Sequence, residues 1–152
     1  MDSLDKEIIK ILLQDGRQTH KQIAEKLCLS RPAVHQRIKK LEEKEIIKKY
    51  TTLINWNKLG YDIQCLIYVK INSSSFNLFV EEVGNIHLTD VFIEHIYRLS
   101  GEWCMMLKIR SNSTINVTKF IDELWKIKGI KETTTNFLLS TIIECGVKED
   151  YI

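Results

Sequence analysis

The stretch Thr19–Tyr50, THKQIAEKLCLSRPAVHQRIKKLEEKEIIKKY, reads as two short helices around a tight turn. Thr19 precedes Gln22 by three positions, the spacing of a capping box in which each side chain satisfies an exposed backbone N–H at the other's position. Ile23, Ala24 and Leu27 then lay a narrow apolar stripe on a helix of about two to three turns, too short to be stable without tertiary support. After Leu27-Cys28-Leu29, Ser30 offers a second N-cap. Pro32, the only proline in the chain, falls in the following first turn, where a missing N–H costs nothing. Val34, Ile38 and Leu41 recur at i, i+4 and i+7 and form the buried stripe of this second helix. Arg31, Pro32, His35, Gln36, Lys39 and Lys40 are left on its flank and opposite face.

Those side chains suit a DNA major groove. Arginine can pair with guanine and glutamine with adenine, histidine can donate or accept, and Lys39 and Lys40 lie further along where phosphates would pass. Ser30 can also bind a phosphate through the helix N-terminus. The alternative is an amphipathic helix whose polar face is merely solvated. A cap before each helix, the short turn between them and the basic second helix favour the DNA-reading interpretation. The candidate DNA-contacting set is Thr19, Ser30, Arg31, Pro32, His35, Gln36, Arg37, Lys39 and Lys40. Within it Arg31, His35 and Gln36 are expected at base edges, and Ser30, Arg37, Lys39 and Lys40 mostly at the DNA backbone or at intramolecular partners.

The 152 residues suffice for one ordinary domain or two small ones, and 44% hydrophobic with 28% charged residues is a globular composition. The net charge of +2 is unevenly divided: residues 1–50 hold 12 Lys and Arg against 8 Asp and Glu, whereas residues 51–152 hold 10 against 12. The basic excess therefore sits with the helix pair, as expected where one part alone must approach phosphates. No apolar run reaches the roughly 18 residues of a membrane span, and the N-terminus MDSLDKEII lacks a basic signal-peptide region, so a cytoplasmic protein is expected. Cys28, Cys65, Cys104 and Cys145 are dispersed singly, which points to burial as small apolar residues rather than to a zinc site or a disulfide framework. His20, His35, His87 and His95 are likewise scattered, and no set of nucleophile, base and orienting group can be assembled. No catalytic residue, metal site or cofactor is expected.

Around the helix pair, Leu4, Ile8, Ile11 and Leu12 predict a first helix from about Leu4 to Gln14, capped by Ser3 or Asp2 and stopped at Asp15-Gly16. Residues Ile46 to Ile54 turn β-branched and aromatic and read as a strand leaving the module, followed by a turn through Asn55–Gly60. The expected division is a helix-turn-helix domain at 1–50, a strand and hinge at 51–61 and a second domain at 62–152. In that second domain the patterns predict a strand at Ile63–Ile71, a helix at Ser75–Val83 and a strand at Val91–Leu99. A turn at Ser100–Trp103, a strand at Cys104–Arg110, a helix at Thr114–Lys126 and a last strand at about Lys131–Ile143 complete it. The order β-α-β-β-α-β implies an α+β, ferredoxin-like sheet with both helices on one face. The last strand would carry apolar groups on both sides, Phe137 and Leu139 on one and Leu138 and Ile142 on the other, so a second copy of the chain is expected to cover the open face.

A basic, winged-helix-like helix-turn-helix followed by β-α-β-β-α-β in this length resembles the Lrp/AsnC family, the leucine- and asparagine-responsive transcription regulators. The resemblance spans nearly the whole chain. It rests on Leu4-Asp5 with Ile8 and Leu12, Asp15-Gly16-Arg17, Ile23-Ala24 with Leu27, Leu29-Ser30, Ala33-Val34, Arg37-Ile38, Leu41-Glu42, Ile46-Ile47, Tyr50-Thr51 and Leu59-Gly60, then Ser100-Gly101, Leu107-Lys108, Gly129-Ile130 and the alternating Thr133 and Thr135. It implies a dimer that pairs or swaps the strand near Tyr50, further assembly such as an octamer, and binding to palindromic duplex DNA near promoters. It also implies a small-molecule effector, often an amino acid, held near Ser100, Gly101, Glu102, Trp103 and Cys104 with Thr134 and Thr135. Glu102 stands where aspartate is common in the family, Cys104 where a second acidic residue is often found, and Cys28 where glycine is common.

Two other readings stay open. A siroheme-decarboxylase-like enzyme shares a similar plan, and His95, Tyr97 and Arg98 would then serve a tetrapyrrole carboxylate. An architectural DNA-binding protein would bind unrelated duplexes almost equally.

Overall fold

The computed structural model describes residues 1–72, 76–144 and 147–148. The chain divides into two compact units: one holds Met1–Ile54 and the described residues from Thr141 onward, the other Asn55–Ser140.

The first unit is built from three helices: α1 (Ser3–Gln14), α2 (His20–Leu27) and α3 (Arg31–Glu43). Each starts where a polar side chain can satisfy backbone donors. The Asp2 carboxylate accepts from the Asp5 N–H at 2.9 Å and Asp5 returns the bond to the Asp2 N–H at 3.0 Å. Thr19 and Gln22 form the expected box at α2, and the Ser30 hydroxyl accepts from the Ala33 N–H at α3. Helix α2 is closed by Cys28 in the left-handed region, φ 52 and ψ 41, with its own N–H on the Ala24 and Glu25 carbonyls and the Leu29 N–H on Ala24 at 2.9 Å. Ile8, Ile23, Ala24, Val34, Ile38 and Leu41 are buried together with Leu12, Leu27 and Leu29 packed against them, and this shared core is what stabilises helices too short to stand alone.

The strand expected over Ile46–Ile54 does not form in the single chain. The Ile46 and Ile47 N–H groups bond back to the Leu41 carbonyl at the end of α3, at 2.9 and 3.2 Å, and the residues beyond find no ladder partner. Tyr50, Leu53 and Ile54 are left exposed. A β-prone run with no strand beside it among the described residues gains no ladder hydrogen bonds.

In the second unit a single 3₁₀ turn at Asn57–Leu59, ended by Gly60 at φ 81, leads into β1 (Ile63–Ile71). Next come α4 (Phe76–Gly84), β2 (Val91–Arg98), β3 (Met105–Ser111), α5 (Thr114–Lys126) and β4 (Ile130–Phe137). The strands form an antiparallel sheet in the order β2-β3-β1-β4, so the expected β-α-β-β-α-β plan is realised. The Ser75 start expected for α4 lies outside the described residues. Alternation decides the faces. Cys65, Ile67, Val69, Met105, Leu107 and Ile109 are fully buried with Phe79 and Val83 of α4 and Val117, Phe120 and Leu124 of α5. The opposite face carries Leu66, Tyr68, Lys70, Met106, Lys108 and Arg110.

The last strand ends at Phe137 rather than near Ile143. Its neighbour β1 starts at Ile63, and past the Cys65–Phe137 pair only the Leu138 N–H still reaches β1, at the Gln64 carbonyl. Leu139 is 99% exposed, so the expected alternation of Leu138–Ile142 on two sheet faces does not hold. Ile143–Glu144 (β5) and Val147–Lys148 (β6) pair as a separate short ladder.

Candidate nucleic-acid interface and effector turn

On α3 the buried stripe of Val34, Ile38 and Leu41 fixes the helix against α1 and α2, and Arg31, Pro32, His35, Gln36, Lys39 and Lys40 are exposed opposite it. Arg37 departs from this group. Its Nη1 donates to Asp2 Oδ2 and Asp5 Oδ1, both at 2.7 Å, tying α3 to the start of α1. The Asp5 carboxyl is held below the usual carboxylate range by the Asp2 backbone N–H and by Arg37, and the guanidinium is in turn held above its ordinary value by Asp2 and Asp5. Thr19 and Ser30 are occupied locally: the Thr19 hydroxyl accepts from the Gln22 N–H at 3.2 Å and donates to Gln22 Oε1 at 2.8 Å, and Ser30 caps α3. Lys39 makes only a loose, exposed pair with Glu43 at 3.7 Å. Cys28 is exposed at the turn, not buried, because it serves as the left-handed cap of α2; Cys65 is buried as expected, and Cys145 lies outside the described residues.

At one end of the sheet, the Ser100–Cys104 segment joins β2 to β3. The Leu99 N–H donates to the Cys104 carbonyl at 2.8 Å and the Cys104 N–H to the Val69 carbonyl at 3.1 Å, so the turn is closed by its own backbone and fastened to β1. Gly101 makes the reversal at φ 112, a conformation rare for residues with a Cβ. The Cys104 thiol donates to the Ile71 carbonyl at 3.7 Å.

Lys70 organises the charges there. Its Nζ lies 2.9 Å from Glu102 Oε1, 2.9 Å from Glu132 Oε2 and 5.0 Å from the Trp103 ring centroid. Both carboxylates raise the ammonium above its ordinary value, Glu132 most. Tyr68 stands beside Trp103, with ring centroids 6.2 Å apart. Thr134 pairs with Tyr68 across β1 and β4 and shares the open face, whereas Thr135 pairs with Ile67 and lies on the helix-covered side. The structure therefore brings Glu102, Trp103 and Thr134 to one face and separates Thr135 from them.

Lys70, Tyr68 and Glu132 were not among the residues singled out from the sequence. The signal was present in the alternation of β1, which puts Tyr68 and Lys70 on one face, but the charge pair needs the β1–β4 register that sets Lys70 opposite Glu132.

Further along the open face, Glu94 is held by Arg110 Nε at 2.8 Å, Lys108 Nζ at 3.0 Å and Gln64 Nε2 at 3.2 Å. Burial pushes its carboxyl up, and these hydrogen bonds outweigh that and leave it below its ordinary value. Trp56 packs on Phe92, with ring centroids 4.8 Å apart, and its ring lies 5.5 Å from the Arg110 guanidinium. The trio of His95, Tyr97 and Arg98 does not converge. His95 and Tyr97 share the open face, opposite Lys108 and Met106, but Arg98 turns to the helix side, where its guanidinium lies 4.1 Å from the Phe76 ring centroid.

A capped helix-turn-helix with an exposed basic and amide face, followed in the chain by an α+β unit with a fastened turn at one sheet end, defines a two-part transcription regulator. Residues 1–48 match the winged helix-turn-helix DNA-binding model and residues 64–147 the Lrp/AsnC ligand binding domain; the chain belongs to the Lrp/AsnC family. It is 33% identical over 141 residues to the HTH-type transcriptional regulator FL11 of Pyrococcus horikoshii, covering 93% of this chain and 91% of the relative. It is 31% identical over 142 residues to the HTH-type transcriptional regulator LrpC of Bacillus subtilis, covering 93% and 94%. The solved structure of that LrpC matches with a TM-score of 0.84 at 30% identity, over 94% of this chain and 97% of that one. A Neisseria meningitidis transcriptional regulator solved as an L-Met complex shares the fold, with a TM-score of 0.87 at 23% identity over 98% and 96% of the two chains. The protein is thus a transcriptional regulator with a DNA-binding helix-turn-helix and an effector-binding domain. Among the described residues no helix is long and apolar enough to cross a membrane.

Proposed function

We propose that the protein is a cytoplasmic, homodimeric regulator that reads palindromic duplex DNA, with residues 1–50 as reading head, 51–61 as linker and 62–152 as the effector-binding and assembly part. The observation that carries this reading is the division of labour on α3: Arg37 is tied down inside the protein while Arg31, His35, Gln36, Lys39 and Lys40 stay exposed. Arg31, His35 and Gln36 contact base edges. Lys39 and Lys40 meet phosphates, and Thr19, Ser30 and Pro32 shape the helix starts that approach the DNA backbone. Two such helices related by a two-fold axis read half-sites about 34 Å apart. The exposed run at Tyr50, Leu53 and Ile54, without a strand partner among the described residues, supports pairing with a second copy; the dimers assemble further, to an octamer.

The effector site is the Ser100–Cys104 turn together with Thr134 and, from the supporting side, Thr135. The relative solved with L-Met makes amino acids the first class to test. In this chain Glu102 already holds the Lys70 ammonium, so a ligand ammonium has to compete with Lys70 for that carboxylate. Selection of bound fragments from genomic duplex DNA, with and without a panel of amino acids, tests both halves. Enrichment of a palindromic site, altered by at least one amino acid, is expected; retention of unrelated duplexes without enrichment contradicts the reading.

A further inference from the structure

From Thr51 to Gly60 every residue but Trp56 is exposed. Residues 51–55 form no helix or strand, and the division between the two units falls between Ile54 and Asn55. The Trp56 ring meets Phe92 of β2 with centroids 4.8 Å apart, meets Tyr61 edge-on at 5.8 Å, and lies 5.5 Å from the Arg110 guanidinium. The Tyr61 hydroxyl donates to the Thr89 carbonyl at 3.3 Å, and the Leu59 and Tyr61 N–H groups donate to the Trp56 carbonyl at 2.9 and 3.0 Å. Residues 56–61 are thus folded on themselves and fastened to the edge strand.

What they are fastened to is itself braced. Phe92 and Gln64 are both register partners of Arg110, so the three form one row across β2, β3 and β1. Glu94 holds that row together, accepting from Arg110 Nε at 2.8 Å and from Gln64 Nε2 at 3.2 Å. The same row grips the chain where it leaves the unit again: the Leu138 N–H donates to the Gln64 carbonyl at 2.9 Å, and the second division falls after Ser140. Between these two anchors and the divisions lie only exposed residues, Leu139 among them at 99%.

We propose that Trp56 determines which half-site spacing the regulator accepts: it latches residues 56–61 to the effector unit and leaves residues 51–54 and 139–140 as the flexing links. Reach decides the matter. A four-residue link extends at most about 14 Å, whereas all of residues 51–61 running free would extend about 38 Å, more than the roughly 34 Å of one turn of DNA. With the latch closed, a reading head is held to one half-site position; with it open, neighbouring positions come within reach. The spacing consequence rests on the palindrome-reading dimer given above; the latch itself does not.

Amide hydrogen exchange of the full-length protein without DNA is followed at residues 59–61 for wild type, Trp56→Leu and Trp56→Phe, with the buried Ile67 of β1 as the control for the fold. Trp56→Leu keeps apolar bulk without a ring. It is expected to speed exchange at residues 59–61 about tenfold, the scale of one aromatic pair with one cation–π contact, and to leave Ile67 unchanged, while Trp56→Phe stays near wild type. In a second arm, duplexes bearing the selected palindrome with one base pair added or removed between half-sites are titrated with each protein. Wild type is expected to lose about tenfold in affinity at either altered spacing, the scale of one mismatched base pair, and Trp56→Leu much less, with base preference inside each half-site the same. Equal exchange at residues 59–61 in wild type and Trp56→Leu, an equal rise at Ile67, or the same spacing dependence in both proteins overturns the proposal. Failure of the DNA reading shows differently, as absence of any palindromic preference in wild type, and leaves the exchange result to decide the latch.

Discussion

Arg37 of the second helix in the helix-turn-helix donates to the Asp5 carboxylate on α1 at 2.7 Å, and so a cation that lies among the candidate DNA-contacting residues in sequence is engaged within the protein. The consequence is separable by salt. Replacing Lys39 or Lys40 with alanine is expected to weaken binding to all duplexes and to lower the salt slope of log K by about 1 each. Arg37→Met should lower the melting temperature and leave that slope unchanged. Fluorescence anisotropy over a salt series, paired with thermal melts, checks both; an equal slope change for Arg37→Met would place Arg37 on the phosphates.

The Glu94 cluster fixes an acid limit on the second unit. With its folded-state carboxyl held below the ordinary value, Glu94 contributes stability that is present above the usual carboxylate range and is lost as pH falls through the folded-state value. Asp2 and Asp5 act in the same direction on the first unit. Melting temperature should therefore fall as pH drops below the carboxylate range. Glu94→Ala should destabilise the protein at neutral pH, because the bonds from Arg110, Lys108 and Gln64 to this carboxylate are lost, and should flatten the acid dependence. Denaturant titrations at neutral and acidic pH measure it.

Cys28 occupies a left-handed backbone position at φ 52, where a side chain is strained. Cys28→Gly is expected to stabilise the protein by about 1 kcal/mol while leaving DNA affinity unaltered. The converse holds at Gly101, φ 112, where an added Cβ would meet nothing within 4 Å. Gly101→Ala should thus cost about 1 kcal/mol through backbone strain alone. Urea midpoints distinguish these outcomes from no change.

The Lys70 ammonium lies between Glu102 and Glu132, where the proposed site would take a ligand ammonium. Lys70→Met keeps much of the stem and removes the competitor, so amino acids that bind through their ammonium should bind the variant more tightly, and Glu102→Gln in the same background should reverse the gain. Calorimetric titration with an amino-acid panel reads this. Loss of binding in Lys70→Met would mean that Lys70 grips the ligand itself.

The helical parts were legible because their signals are local. Asp2, Thr19 and Ser30 cap where the sequence places caps, and the stripes at Ile23, Ala24 and Leu27 and at Val34, Ile38 and Leu41 bury as their period requires. The order of strands was equally readable from alternation. What failed depends on partners distant in sequence. Ile46–Ile54 has β-forming residues but no strand partner among the described residues, and β4 ends at Phe137, opposite Cys65, before β1 does. The site was half legible for the same reason. Gly101 and Glu102 announce a turn with a carboxylate, whereas the Lys70 ammonium that meets it follows from register.

The central claim is that the exposed face of α3 reads bases. Selection from a random duplex pool, performed in parallel with wild type and Gln36→Ala, tests it most directly. The account predicts a palindromic consensus for wild type, with half-sites about one helical turn apart, and relaxed preference for Gln36→Ala at the symmetry-related positions in each half-site alone. An unenriched pool for wild type, or identical consensus sequences for the two proteins, would contradict it.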